Sequence, residues 1–204
     1  MKRLAMVVGM LLALGASASA QTPPTDGTPT RIRGTVEKLD GQTLAVKARD
    51  GQSMTVNLAP NFTVVALKKA SVTDIKPGDY VASTGVKGAD GKLHAVEVRI
   101  FPENLRGAGE GQYPWDLMPD SVMTNATVSG VAAQPNGQLL KVTYKGGESE
   151  YIVGPESGVF SYLQEDAGLL KPGVAVFIVA LKKPDGSLTA SRLTAEKDGI
   201  KPPM

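Results

Sequence analysis

His94 is the only histidine of the 204 residues, and Asp90, Glu97 and Glu103 are the carboxylates near enough in sequence to join it at a metal. Catalytic and transition-metal sites draw on several converging nitrogen or sulfur ligands. The chain has no cysteine and no second histidine to supply them. Met118 and Met123, with Met54 and Met204, offer thioethers of the kind that select Cu(I). Methionine is equally the side chain that fills irregular core gaps. The carboxylate pairs Asp116/Asp120 and Glu148/Glu150 have the chemistry of a general acid and base. Their neighbours read as loop and exposed strand, where nothing would push two pKa values apart. No GxSxG turn and no P-loop is present. The sequence therefore points away from catalysis: no catalytic residue, no metal ligand and no cofactor is expected. A metal-handling role, resting on His94 and the two loop methionines, is the alternative.

Non-covalent chemistry is concentrated in one stretch. Tyr113, Trp115, Asp116 and Met118 stand among Gly107, Gly109, Gly111, Pro114 and Pro119, and Trp115 is the only tryptophan. These four are the candidate contacts for a ligand or partner. One use of them is an aromatic platform that stacks on a sugar or a partner peptide. The other is a wedge, with Trp115 and Leu117 filling a groove between two domains and Asp116 capping a turn. A lone Trp in a Gly/Pro loop is usually well buried, which favours the wedge.

The elements on either side are strands. From Arg31, Ile32, Gly34 and Val36 alternate with polar residues until Asp40-Gly41; Leu44, Val46 and Ala48 alternate until Asp50-Gly51; Met54, Val56 and Leu58 follow. Asp-Gly supplies the positive φ angles of tight hairpins, so this is a three-strand meander. A short strand over 63–67, a helical turn around 71–75, the turn Lys76-Pro77-Gly78-Asp79, a strand from Tyr80 and a last strand over 92–101 complete the unit.

The same order is written again. Asn136-Gly137 answers Asp40-Gly41, Gly146-Gly147 answers Asp50-Gly51, Lys171-Pro172-Gly173 answers Lys76-Pro77-Gly78, and Asp185-Gly186 answers Asp90-Gly91, at offsets of 96, 96, 95 and 95 residues. Four matched turns in one order make an internal repeat. Each copy reads as three meandering strands, a connection and two further strands, the order of a five-stranded OB-like Greek-key barrel. An SH3-like barrel is the other small Greek-key choice. The repeat-mate of His94 is Thr189, which marks a solvent-facing strand position. The expected organisation is a signal peptide over 1–20, a disordered tether over 21–30, a first barrel over 31–101, a structured strap over 102–124, a second barrel over 125–198 and a C-terminal tail over 199–204.

The leader reading rests on Lys2-Arg3, the apolar run 4–14 and the cleavage site Ala18-Ser19-Ala20. The run is about half the length of a membrane span. Export would place the mature chain in the periplasm, beginning at Gln21. Loss of Lys2 and Arg3 lowers 22 basic residues to 20, against 20 acidic ones, so the mature chain is formally neutral. Nucleic-acid binding depends on phosphate neutralisation, and aromatic residues are only 5%. No nucleic acid is expected. An envelope protein or glycan is the expected partner.

The runs RIRGTVEKLDGQTLAVKARDGQ, DIKPGDYV, DGKLHAVEVRIFPE, GEGQYPWDL and MTNATV resemble a group of uncharacterised exported proteobacterial proteins. The resemblance spans nearly all the mature chain and implies two copies of a small β-barrel domain of unknown function. It implies no catalytic residue. Some of those proteins carry an automatic label as a metal ABC transporter permease. A permease requires several membrane spans, and this chain offers none after its leader.

Overall fold

The computed structural model describes residues 27–203, so the leader and most of the tether lie outside the described residues. The strands are β1 (Thr28–Asp40), β2 (Thr43–Ala48), β3 (Ser53–Lys69), β4 (Tyr80–Lys87), β5 (Leu93–Ile100) and β6 (Gly111–Pro114). They continue with β7 (Ser121–Gln134), β8 (Gly137–Tyr144), β9 (Gly147–Val153), β10 (Gly158–Glu165), β11 (Ala175–Lys182) and β12 (Leu188–Ala195). The protein is all-β; among the described residues the remaining regular elements are single 3-10 turns. No helix among the described residues is long and apolar enough to cross a membrane.

The hairpins form where Asp-Gly requires them, with Gly41 at φ 58° and Gly51 at φ 87°. The 3-10 turn at Val72–Asp74 is set by Ser71, whose Oγ accepts from the Thr73 amide while Asp74 accepts from the Ser71 amide. Two boundaries differ from expectation. Thr28, Pro29 and Thr30 are not tether, because they pair with β11 opposite Lys182, Leu181 and Ala180. β3 is one long strand rather than two. Its ladder with β12 shifts register between Leu58 and Thr63, and Pro60, which has no amide to donate, falls in that gap.

The pairing of the strands is the larger correction. β1, β2 and β3 do not close with β4 and β5. They close with β11 and β12, giving a five-stranded barrel in the order β1-β2-β3-β12-β11-β1. β4 and β5 pair instead with β7 and β9, completing a second circuit, β7-β8-β9-β5-β4-β7. Residues 31–101 are thus distributed over both circuits. Each Pro-Gly turn docks in the same exchanged way. Gly78 and Val128 donate their amides to Val128 and Asp79 carbonyls, while Gly173 and Val36 donate to Val36 and Val174 carbonyls. β3 and β10 run antiparallel across the junction, with Leu67 opposite Tyr162.

Each circuit has its own core. Ile32, Leu44, Val46, Val56, Ile178 and Leu193 fill the first, and Leu170 closes one end. Val81, Val98, Leu140, Val142 and Tyr151 fill the second, with Ile75 in the matching end position. The side chains left facing outward at the junction enclose a cleft of about 1050 Å³.

Candidate functional site

The cleft is assembled from alternation on the strands that border it. On β1, Ile32 and Gly34 face the core, so Arg31 and Arg33 face outward; on β11, Val176 and Ile178 face in, so Phe177 and Val179 face out. Arg33 lies opposite Phe177 and Arg31 opposite Val179. Onto this outer face comes the segment after β5. Residues 103–105 make a 3-10 turn, β6 pairs with β7, and Asp116 and Trp115 follow directly. The expected strap over 102–124 is therefore part ladder: residues 121–124 belong to β7, with Ser121 bracing the turn through bonds to Trp115 and Met118.

Trp115 connects the two circuits. Its ring meets Phe177 edge-on at 5.9 Å and Tyr113 at 6.1 Å, and the Arg31 guanidinium sits 4.2 Å from its centroid. Cation–π contact of this kind orients both partners. Arg33, only 4% exposed, donates to Asp116 Oδ2 at 2.5 Å and to the Pro203 carbonyl at 3.1 Å. Asp116 also meets Arg31 at 3.5 Å. Burial works to raise the Asp116 pKa, but the Arg33 hydrogen bond and charge outweigh it and hold the carboxyl below its ordinary value. The tail residue Pro203 is thus tied to β1.

The opposite wall comes from β5 of the second circuit and from β10, which lies between β3 and β5. Arg99, 4% exposed, bonds Glu97 Oε1 at 2.6 Å and the Tyr162 hydroxyl at 3.3 Å. Burial opposes its charge, and Tyr162 and Glu97 more than offset this, so its pKa is raised. Phe101 stacks on Tyr162 with centroids 5.3 Å apart, and Tyr80 lies 5.4 Å from Phe101. Three buried polar atoms on cleft residues have no hydrogen-bond partner: Arg99 Nε, Trp115 Nε1 and Asn125 Oδ1. Two further such atoms among the described residues, Ser83 Oγ and Gln138 Oε1, lie on residues outside the cleft.

Of the four residues singled out from sequence, Tyr113, Trp115 and Asp116 line the cleft. Met118 lies in the turn beyond, 43% exposed, while Met123 is buried and accepts from the Thr84 hydroxyl at 3.8 Å. His94 is exposed and meets only Asp90, at 3.1 Å. Glu97 and Glu103 are engaged by Arg99 and Arg106, so the four candidate ligands do not converge. No group of three metal-ligating side chains occurs among the described residues. Glu150 pairs with Lys141 rather than with Glu148. Arg99, Tyr162, Phe101 and Phe177 escaped the sequence reading. Their outward register was readable, but the wall facing each of them comes from the other half of the chain.

Residues 33–99 match the model of a family described as a domain of unknown function (DUF5666). That segment runs from β1 to β5 and so contributes strands to both circuits. No curated protein and no solved structure matches the chain.

Proposed function

We propose that the protein is a non-catalytic binding module of the bacterial periplasm, exported by residues 1–20, that holds an envelope protein or glycan in the cleft between two OB-like barrels. The observation that carries this reading is a cleft of about 1050 Å³ bordered by Tyr113, Trp115, Phe101 and Tyr162 together with Arg31, Arg99 and Arg192. Sites for ligands are concave, largely apolar and furnished with a few fixed polar groups. Support for OB-like barrels comes from strand order: both circuits run first-second-third-fifth-fourth, with the third and fifth strands parallel. A tandem repeat whose copies exchange their last two strands accounts for both circuits at once. Trp115 serves as wedge and lining together, because it joins β6 to the outer face of β11 while its side chain borders the cleft.

The test is capture from an osmotic-shock and envelope extract by the tagged mature chain, with Arg99→Met and Trp115→Phe as cleft variants. The wild type should retain a component that both variants lose while their melting curves stay cooperative. Equal retention by all three would place binding elsewhere. Intact mass should also show the mature chain starting at Gln21; retained residues 1–20 would contradict export.

A further inference from the structure

The two circuits differ at one strand edge beside the cleft. Val36 on β1 and Val128 on β7 make the same exchanged bonds, so residues 30–33 of β1 correspond to residues 122–125 of β7. On β7 that stretch is paired on both sides, with β4 and with β6. On β1 it is paired with β11 alone, because the ladder to β2 begins at Gly34. Strand parity identifies the free groups. Val36 bonds towards Gly173 and Val174, ahead of β11, and Arg33 faces the other way, its carbonyl accepting the Arg49 amide. Arg31 therefore presents its amide and carbonyl to the open side, with no backbone partner there among the described residues. Pro29, which has no amide to donate, limits this edge to a short addition. Free edges on β6 and at residues 162–165 of β10 also border the cleft. The β1 edge stands out because the other circuit fills the corresponding place.

Charge and side-chain register decide what completes that edge. Arg31, Arg33 and Arg49 share Asp116 there. Arg33 takes its carboxylate at 2.5 Å, while the exposed Arg31 and Arg49 reach Asp116 only at 3.5 Å. Two guanidiniums thus stand without a close anion. A second copy paired edge to edge about Arg31 would oppose like charges, which destabilises a ladder. The offset of 92 residues between Val36 and Val128 would set Ser19, Ala20, Gln21 and Thr22 in the place of β6, and these carry no carboxylate. In the second circuit Gln112 of β6 donates to Thr124 and Ser149. The first circuit has Ile32 and Met54 at those positions, so the matching residue of an added strand meets hydrocarbon. Glu110 keeps one carboxylate oxygen unpaired among the described residues, so the acidic preference belongs to the β1 edge and not to the whole cleft. We infer that this edge takes an extended segment of a partner protein as an added antiparallel strand. An apolar residue lies against Ile32 and Met54, and the acidic residue after it lies beside Arg31 and Arg49. The backbone of that acidic residue exchanges two hydrogen bonds with Arg31. This rests on the cleft being the binding site, and of an envelope protein or a glycan it selects the protein.

The probe is the capped peptide acetyl-Ser-Glu-Val-Glu-Thr-Ser-amide, titrated into the 15N-labelled mature protein and followed at the Arg31 amide. It should shift that signal and slow its exchange with solvent. Methylating the backbone nitrogen of the second Glu removes one bond to Arg31 without touching charge, and should weaken binding by about tenfold. Arg49→Gln should weaken it about two- to fivefold, the loss expected for one exposed charge pair. Lys in place of both Glu should weaken it further. Equal binding of the methylated peptide would overturn strand addition, and equal binding of the Lys peptide would overturn the acidic preference. An Arg31 amide already protected in the free protein, and released by dilution or by deletion of residues 21–26, would give the edge to a second copy or to the chain itself and overturn the inference. If no peptide moves the Arg31 signal, the inference is refuted. Loss of the captured envelope component in Arg99→Met and Trp115→Phe would in that case keep the cleft reading standing.

Discussion

Positions that the first barrel fills with Val56, Ala180, Ile32 and Ile178 are filled in the second by Tyr151, Gly85, Thr124 and Ser83. The scaffold is the same and the filling differs. In the first barrel the interior is hydrocarbon throughout. In the second, Tyr151 takes the volume that Gly85 gives up: a Cβ on Gly85 would stand 2.5 Å from Tyr151 Cε1. Its hydroxyl reaches Thr124 Oγ1 at 2.5 Å, and Gln112 donates to that same Oγ1 at 2.9 Å. Closure differs too. β12 runs beside β3 from Leu188 to Thr194, whereas β5 meets β9 only at Leu93 and His94. The difference lies in filling and closure: the first circuit is dry inside, and the second is more polar and more loosely closed.

The largest effect is expected at the exchange of volume. Tyr151→Val should cost about 3–4 kcal/mol, because a large aromatic is removed opposite a glycine that cannot fill the gap. Gly85→Ala alone should also destabilise, by about 1–3 kcal/mol, through overpacking against the ring. Combined, the two changes imitate the first barrel and should cost less than the sum by about 1 kcal/mol or more. Denaturant melts of the four proteins measure this; strict additivity would show that the two positions do not trade volume.

Next comes the residue between the barrels. Trp115 is half-buried, so Trp115→Ala should lower stability by about 2–3 kcal/mol, less than a fully buried aromatic. Wild-type emission should be blue-shifted and poorly quenched by iodide. A red-shifted, readily quenched indole with an unchanged melting temperature would remove Trp115 from the junction.

Alkali should then separate the barrels. Burial, with the Glu110 carboxylate adding to it, pushes the Tyr80 hydroxyl up to about 12, and burial raises Tyr113 and Tyr151 as well. A folded-state value above the unfolded one, about 10, means the contribution is complete below pH about 10 and is lost as pH rises towards 12. The first core contains no tyrosine. Amide exchange between pH 10 and 12 should therefore accelerate first in β4, β7 and β9, with β2 and β11 following; simultaneous loss would deny the difference.

The smallest effect belongs to His94. It is exposed and its only ion-pair partner among the described residues is Asp90, so His94→Ala should change stability by no more than about 0.5 kcal/mol and leave metal content unchanged. Stoichiometric zinc or copper lost in that variant would revive the metal-handling alternative.

How much of this was legible follows the range of the signal. Period-two alternation and Asp-Gly turns are local, and they located the meanders, the 3-10 turn after Ser71 and the strand beginning at Tyr80. They also set which residues of β1 and β11 face outward. Pairing between the two halves of the chain is not local. Tyr80 presents the same alternation to β1 as to β7, so nothing in its own strand selects Thr127 as its partner. The cleft is a product of that choice, which is why Trp115 and Asp116 could be singled out by composition while Arg99 and Tyr162 could not.

The decisive observation is therefore cross-strand proximity in the monomer. Nuclear Overhauser contacts in dilute protein should join the backbones of Ile32 and Ile178, and those of Val81 and Ala126. Contacts joining Ile32 to Ser83 and Ala126 to Val176 would mean that each half closes on itself, and the cleft described between them would not exist.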